Sequence, residues 1–143
     1  MKLSTRTRYG MRAVIELAQH EDKRPLQLKV IADRQAISVK YLEQLMSILR
    51  SAGFVRSVRG SKGGYTLARP ADQVRLHEIF RCLEGPVTTT ECTVDSRVCE
   101  RSTDCIAREI WLQVETAVHD VLSSITLADV VKRASVKASE YQI

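Results

Sequence analysis

The sequence SVKYLEQLMSILRSAG, at residues 38–53, is the most informative about the fold. It predicts an amphipathic helix with a marked start and end. Ser38 can cap free backbone N–H groups of the first turn, and Gly53 can adopt the left-handed conformation that follows many helices. Apolar residues recur at intervals of three and four and define the face that we expect to be buried: Leu42, Leu45, Met46 and Leu49. The polar residues between them must then form an outer face.

The segments on either side of this helix predict a mostly α-helical protein with a small β-hairpin wing. A first helix is predicted over about 4–19 and a short helix over 28–35, with a polar, proline-containing turn at 21–25 between them. After the capped helix, alternating residues over 54–58 and 65–68 flank a glycine-rich turn and predict the hairpin. This order of elements is that of a winged helix-turn-helix, in which the capped third helix can enter the major groove of DNA.

The rest of the chain divides into two further parts. We assign residues 1–85 to a DNA-binding domain that closes with a short helix over about 74–83, residues 86–104 to a cysteine-containing loop, and residues 105–143 to a dimerisation segment. The sequence over 87–104 has neither a helical nor a strand period, and an irregular stretch of this length is uncommon unless it is functional.

The dimerisation segment begins with a long predicted helix. Apolar residues follow one another at steps of four and three: Ala107, Trp111, Val114, Val118, Val121 and Ile125. This spacing is typical of a helix that packs along another helix, and because the chain offers no second long helix, we expect a homodimer. A last short helix is predicted from Thr126, and the polar tail after Arg133 is expected to fray.

The amino-acid composition limits the classes of protein to which this chain can belong. The 143 residues, of which 44% are hydrophobic and 27% charged, are typical of a globular protein. No apolar run approaches the roughly 18 residues of a membrane span, and no secretory signal is recognisable, so we expect a cytoplasmic protein with reduced cysteines.

Charge is unevenly distributed along the chain. Residues 1–70 carry 14 Lys or Arg against 5 Asp or Glu, whereas residues 71–143 carry 8 against 12. The basic half is therefore the candidate for binding nucleic acid.

The outer face of the capped helix carries side chains that suit DNA: Ser38, Lys40, Tyr41, Glu43, Gln44 and Ser47. Gln44 can pair with adenine, and Glu43 can accept a hydrogen bond from the amine of cytosine. Lys40 or Tyr41 can hold phosphate. Further basic residues in the hairpin and the first helix suit the DNA backbone: Arg56, Arg59, Lys62, Arg6, Arg8 and Arg12. The alternatives are a solvated polar face and, for the arginines, an acidic protein partner.

Three of the four cysteines lie in or beside the irregular loop with the spacing C-x6-C-x5-C: Cys92, Cys99 and Cys105. Three thiolates on one loop suit a soft metal or an iron–sulfur cluster. The spacing differs from the C-x2-C pairs of zinc fingers and from ferredoxin patterns, so reduced, unliganded thiols remain an alternative. Cys82, at helical spacing from Ile79, is expected to be a buried thiol.

Four strings together resemble the IscR/NsrR class of bacterial transcription regulators: LSTRTRYG at 3–10, SVKYLEQL at 38–45, VRGSKGGY at 58–65, and the three-cysteine loop. The resemblance covers nearly the whole chain. It implies a homodimeric winged-helix protein that binds promoter DNA, usually as a repressor, with an iron–sulfur cluster that changes DNA affinity. It also implies DNA-reading roles for Ser38, Lys40, Tyr41, Glu43, Gln44 and Arg59, and cluster-ligand roles for Cys92, Cys99 and Cys105.

The sequence departs from that class at the fourth cluster ligand. IscR-type proteins carry a histidine three residues after the last cysteine, where this chain has Arg108, and NsrR-type proteins use an acidic residue near the N-terminus, where it has Arg8 and Arg12. A guanidinium stays protonated and cannot ligate iron. The fourth ligand stays open between a partner-chain residue, a small exogenous molecule and nearby carboxylates: Glu109, Asp104 and Glu91. We favour a 2Fe–2S over a 4Fe–4S cluster, in a labile site that suits a sensor of iron, oxygen or nitric oxide.

Three function classes are compared. The first is a cluster-switched transcription regulator. The second is a cluster-free regulator of cysteine or sulfur metabolism, controlled by thiol oxidation or by a partner enzyme, although such members of the class lack the three-cysteine set. The third, an enzyme, is not expected, because the sequence has no C-x-x-C pair and no phosphate-binding loop.

Overall fold

The computed structural model describes residues 1–20 and 24–142, and these form a mostly helical chain with one two-stranded antiparallel sheet. The elements are α1 Thr5–Gln19, α2 Leu28–Gln35, α3 Val39–Ser51, β1 Val55–Val58, β2 Gly64–Leu67, α4 Leu76–Glu84, α5 Glu91–Val94, α6 Ile106–Ser124 and α7 Leu127–Glu140. This order confirms the predicted winged helix-turn-helix followed by a long helix. The turn predicted at 21–25 lies partly outside the described residues.

Serine caps fix the starts of α1 and α3. The Ser4 hydroxyl accepts a hydrogen bond from the backbone N–H of Thr7 at 3.2 Å, and the Ser38 hydroxyl accepts one from that of Tyr41 at 3.1 Å. Gly53 follows α3 with φ of 83°, a left-handed conformation that glycine adopts without strain. The predicted cap at Ser38 and the predicted left-handed conformation at Gly53 are therefore both present.

The wing is joined to a segment that the sequence pattern did not reveal. In the hairpin, Val55 lies opposite Leu67. On the other side of β2, Leu26 and Tyr65 exchange two backbone hydrogen bonds of 2.9 Å, so Leu26, two residues before α2, pairs with the sheet. Gly64 permits this approach, because a Cβ atom there would lie 2.4 Å from the carbonyl oxygen of Leu26.

A single hydrophobic core joins α1, α2, α3, α4, the sheet and the start of α7. Its buried members are Ala13, Val14, Leu17, Leu26, Ile31, Ala32, Leu42, Met46, Leu49, Phe54, Val55, Val74, Ile79, Leu83 and Leu127. The four apolar residues predicted to face inward from α3 are each at most 1% exposed. Gly10 brings α1 close to α4, since a Cβ atom there would lie 2.6 Å from Leu83 Cδ1.

Backbone hydrogen bonds at the junction of α6 and α7 join the two C-terminal helices to the segment before α4. The N–H of Leu76 donates to the carbonyl of Ile125 at 2.9 Å, and the N–H of Leu127 donates to the carbonyl of Val74 at 2.9 Å. α7 then packs against α1, which places it beside the winged-helix elements. None of the helices in the described ranges is long and apolar enough to cross a membrane.

Three sequence-based expectations about element ends are corrected. α4 begins at Leu76 rather than 74, because Val74 takes extended backbone and pairs with Leu127. α6 ends at Ser124, so Ile125 lies outside the long helix. α7 runs on to Glu140 instead of fraying after Arg133, because four of the seven residues 134–140 are alanine, lysine or glutamate, which favour helix, and none is glycine or proline. The predicted capping box of Thr126 and Asp129 is present.

Candidate nucleic-acid interface and cysteine segment

The outer face of α3 is exposed, as its polar sequence predicts. Ser38, Lys40, Glu43, Gln44 and Ser47 are all exposed, while the opposite face of the same helix is buried in the core. The hydroxyl of Ser38 also serves as the cap of α3, so its oxygen is fixed at the helix start. The side chains that we predicted to read DNA therefore share one solvent-facing surface.

Tyr41 differs from its neighbours because it is half-buried between α3 and α1. Its ring stands edge-on to the ring of Tyr9, with 6.2 Å between centroids and an interplanar angle of 85°. Its hydroxyl lies 3.4 Å from the Thr5 hydroxyl. The sequence pattern did not reveal this contact between the two helices.

Two arginines of α1 gather on the same ring. The guanidinium carbons of Arg8 and Arg12 lie 6.0 Å and 5.5 Å from the centroid of Tyr9, within the range of cation–π attraction. We call Arg8, Tyr9, Arg12 and Tyr41 the tyrosine cluster. It places two permanent positive charges on the helix that packs against α3.

Arg6 has a different role on α1. Its Nε donates to the carbonyl of Leu83 at 2.8 Å, which joins α1 to the end of α4. Beside it, hydrogen bonds from Ser4 and Thr7 hold the pKa of the Glu84 carboxyl below its usual range. The Arg6 guanidinium therefore helps to hold α1 against α4. We had expected a phosphate contact for this residue.

The wing presents exposed basic side chains on a turn shaped by glycine. Arg56, Arg59 and Lys62 are exposed. Gly60 has φ of 115°, and a Cβ atom on Gly63 would lie 2.2 Å from the carbonyl oxygen of Val58. The turn is thus restricted to glycine at these positions, and it holds Arg59 and Lys62 at the tip of the hairpin, while Arg56 lies within β1.

The cysteine loop is more ordered than the sequence indicated, and we call residues 87–105 the cysteine segment. Glu91–Val94 forms the single turn α5, and a 3-10 turn follows over Ser96–Val98. Asp95 caps that turn by accepting from the N–H of Arg97 at 3.0 Å. Turns of three or four residues are too short to leave a period in the sequence, which explains why the prediction missed them.

The three cysteines of the segment are free thiols at different depths. Cys92 lies on α5 and is half-buried, with its sulfur 3.1 Å from the Thr90 hydroxyl. Cys99 is exposed, and Cys105 is half-buried as the residue that directly precedes α6. The donor chemistry fits an iron–sulfur cluster, but in the described ranges no three His, Cys, Asp or Glu side chains are gathered as ligands of one metal ion.

Cys82 lies apart from this segment, on α4. It is half-buried rather than buried as expected, and it packs against the edge of the core. Burial raises the pKa of the Cys82 thiol, although the nearby charge of Arg6 opposes the shift. Cys82 is therefore a packed thiol.

Glu115 of α6 holds the start of the cysteine segment. Its Oε1 atom accepts three hydrogen bonds, from Thr89 N at 2.6 Å, Thr89 Oγ1 at 2.8 Å and Thr93 Oγ1 at 2.7 Å. Desolvation acts to raise the pKa of the Glu115 carboxyl, but the bonds from Thr93 and Thr89 and the charge of Arg108 hold it below its usual range. We call this set of bonds the Glu115 latch.

Arg108 provides a second link between α6 and the segment. Its Nε donates to the carbonyl oxygen of Cys92 at 3.0 Å. Arg108 stands where IscR-type proteins have a histidine ligand, and it binds the backbone carbonyl of the cysteine Cys92. The carboxylates left open as a fourth ligand, Glu91, Asp104 and Glu109, are all exposed.

The long helix exposes an apolar face. In the single chain no residue of α6 is buried. Its large apolar side chains with 41% to 68% exposure are Ile106, Ile110, Trp111, Val114 and Val121. A continuous apolar face of this kind is unusual on a protein that acts alone.

Comparisons with known proteins agree with this layout. The sequence profile of the Rrf2 family, described as an iron-dependent transcriptional regulator, matches residues 3–133. The Rrf2 protein of Nitratidesulfovibrio vulgaris is 41% identical over 135 residues, which span 94% of this chain and 90% of that protein.

Two solved structures extend the similarity to the fold. CymR of B. subtilis, named the global cysteine regulator, has a TM-score of 0.79 and 41% identity, covering 93% of this chain and 98% of its own. IscR of T. potens has a TM-score of 0.77 and 41% identity, covering 94% and 88%. The resemblance to IscR-type regulators is confirmed, and so is the class of a DNA-binding regulator rather than an enzyme. The chain belongs to the Rrf2 family of transcriptional regulators.

Proposed function

We propose that this regulator acts as a homodimer that reads promoter DNA with α3 and the wing, and that it usually represses. The exposed polar face of α3 beside the tyrosine cluster carries the proposal. Positive charge on α1 and the wing, which both pack close to α3, favours phosphate contacts that position this helix in the major groove. The proposed DNA contacts are Ser38, Lys40, Tyr41, Glu43, Gln44, Arg59, Lys62 and Arg8.

Two side chains of that face are proposed to select the sequence. Gln44 can make two hydrogen bonds to the edge of adenine, and Glu43 can accept from the amine of cytosine. A carboxylate among phosphates costs binding free energy unless such a donor satisfies it, so Glu43 would penalise sites without cytosine at its position.

The exposed apolar face of α6 is proposed to bind α6 of a second copy. The supporting observation is the steps of four and three between the exposed residues Ala107, Trp111 and Val114, which suit a partner helix with the same spacing. Two copies related by a twofold axis would present two α3 helices to successive major-groove segments of a roughly palindromic site.

We further propose that Cys92, Cys99 and Cys105 hold an iron–sulfur cluster, with 2Fe–2S favoured over 4Fe–4S. Three free thiols on one segment support it in donor chemistry. The segment has to close further to bring them together, since the described ranges gather no three ligands. When bound, the cluster would supply a redox-active, labile centre that responds to iron, oxygen or nitric oxide.

The cysteine segment is well placed to influence α6. Cys105 directly precedes that helix, while the Glu115 latch and Arg108 tie the other end of the segment to it. A change at the thiols would therefore reach the start of the proposed dimer helix and alter the relative placement of the two DNA-binding surfaces. We therefore propose separate roles for residues 1–85 in DNA binding, 86–104 in holding the cluster and 105–143 in dimerisation.

A second candidate is a cluster-free regulator of cysteine or sulfur metabolism, controlled by thiol oxidation or by a partner enzyme. Two observations favour it: the similarity to CymR, and the separation of the cysteines, of which Cys99 is exposed to oxidants. It predicts the same DNA interface and differs only in what the thiols do.

Binding to duplexes selected from a randomised pool tests the DNA interface. Gln44→Ala should lose about tenfold in affinity for sites with adenine at the contacted position. Gln73→Ala, an exposed glutamine in the turn before α4, is the matched control and should bind like the wild type. Lys62→Ala should weaken binding to all sequences alike and reduce the salt dependence. Unchanged affinity of Gln44→Ala on every selected site would contradict the proposed role of α3.

A further inference from the structure

A cavity of about 430 Å³ lies between α4 and α6, and its lining includes no proposed DNA contact and no cysteine. Its volume falls in the range of small-molecule sites, about 300–1,000 Å³. Phe80, Val87 and Leu122 give it an apolar wall. The polar groups that line it include His77, Arg81 and His119. An apolar wall with a few convergent polar groups is the usual composition of a ligand site.

Two histidines from different helices line the cavity with their rings in contact. His77 lies on α4 and His119 on α6, with 5.3 Å between ring centroids and 59° between ring planes. Nδ1 of His77 is buried and has no hydrogen-bond partner among the described residues. A buried polar atom without a partner destabilises the protein unless something satisfies it, so a ligand with a complementary polar group would be favoured at this position.

Charged groups of both signs surround the histidines, and most of the carboxylates already have partners. The Glu115 carboxylate is engaged in the latch, and Glu78 accepts from the N–H of Arg75 and pairs with Arg69. Asp120 is exposed and lies 3.7 Å from the His119 ring. The guanidinium of Arg81 forms no hydrogen bond or ion pair within the described part of the chain, although the backbone carbonyl of Arg81 accepts from the N–H of Gly85. The Arg81 guanidinium is therefore a lining cation whose hydrogen-bond donors are unused.

Donors of this kind suit an anion better than a metal ion. Arg81 carries a permanent positive charge and repels cations, and its planar guanidinium matches a carboxylate. Around the histidine pair, the described side chains include no set of three metal ligands. We propose that this cavity binds a small organic carboxylate with an apolar or aromatic body, its carboxylate held by Arg81 and the histidines. The body would lie on Phe80, Val87 and Leu122.

The site stands independently of the proposed DNA and cluster roles. Because its walls come from both α4 and α6, a bound carboxylate would link the winged-helix elements to the proposed dimer helix. Such a ligand would be a second means of changing how α6 packs against α4. The first is the Glu115 latch, which links the cysteine segment to α6.

NMR of the full-length protein at fixed pH tests the site with benzoate as the probe and benzamide as its uncharged analogue. The three histidines of the chain give separate imidazole signals, and His20, which follows α1 outside the cavity, is the internal control. Benzoate should shift the signals of His77 and His119 saturably and leave that of His20 unchanged. Benzamide should bind about tenfold more weakly, because it lacks the charge that Arg81 recognises.

Two variants separate binding from folding. Arg81→Gln changes an exposed side chain and should weaken benzoate about fivefold. Arg50→Gln, an equally exposed arginine at the end of α3, should leave benzoate binding unchanged. Absence of a saturable shift, equal binding of benzamide, or equal binding by Arg81→Gln would overturn the proposal. None of these results depends on DNA binding or on a cluster.

Discussion

Replacing Glu115 by glutamine should loosen the cysteine segment from α6. The carboxylate Oε1 accepts three hydrogen bonds from Thr89 and Thr93, and an amide oxygen can still accept them but without the negative charge. A hydrogen bond to a charged group is worth about 1 kcal/mol more than a neutral one. Because the three bonds share one oxygen and the site is partly exposed, we expect local opening to become easier by about 1–2 kcal/mol in total, or about five- to thirtyfold.

Hydrogen exchange of the Thr89 amide measures this opening directly, because that N–H donates to Glu115. Glu115→Gln should raise the exchange rate of Thr89 by the expected factor and leave amides in the middle of α3 unchanged. Glu100→Gln removes the same charge from an exposed position within the segment and is the matched control. If Thr89 exchanges equally fast in all three proteins, the latch does not hold the segment.

The latch should also depend on pH. Since folding lowers the pKa of Glu115 below its usual value of about 4.5, its contribution is complete above that pH and is lost as the pH falls through the folded-state pKa. Protection of Thr89, corrected for intrinsic exchange, should therefore decline below about pH 4.5 in the wild type and stay constant in Glu115→Gln. Equal pH profiles of the two proteins would contradict this.

Three further predictions concern the DNA face, the wing and the dimer. Glu43→Ala should broaden the set of DNA sites that are bound, and unchanged preferences in a competition on a randomised pool would refute its filtering role. Gly63→Ala should lower the free energy of unfolding by about 1–3 kcal/mol, because its Cβ would lie 2.2 Å from Val58 O; an unaltered denaturant midpoint would show that the turn relaxes freely. Val114→Asp should yield a monomer by light scattering with retained helicity, whereas Gln113→Asp should remain dimeric; a dimer in both would place the interface elsewhere.

The winged helix was predictable because its signals are local and mutually consistent. The cap at Ser38, the left-handed Gly53 and the inward face led by Leu42 each act within a few residues, and all three agree with one helix. Once that helix is fixed, its exposed polar face follows from geometry alone, so the candidate DNA contacts could be found without coordinates.

What the sequence did not reveal depends on contacts between distant residues. The pairing of Leu26 with Tyr65 and the Glu115 latch join segments that are far apart in the chain and leave no periodic signal. The role of Arg108 is similar, since its hydrogen bond to the backbone of Cys92 cannot be read from residue types. The length of α7 was underestimated because a polar, solvated helix lacks a strong apolar pattern.

The visible absorption spectrum of protein purified without oxygen tests the proposed cluster on Cys92, Cys99 and Cys105 most directly. We predict sulfide-to-iron bands that disappear on exposure to oxygen or nitric oxide and are absent when the three cysteines are replaced together by alanine. Cys82→Ala is the matched control and should keep the bands, because Cys82 packs against the core. A wild-type protein that stays colourless after attempted cluster reconstitution would contradict the account and leave thiol oxidation or a partner enzyme as the regulatory input.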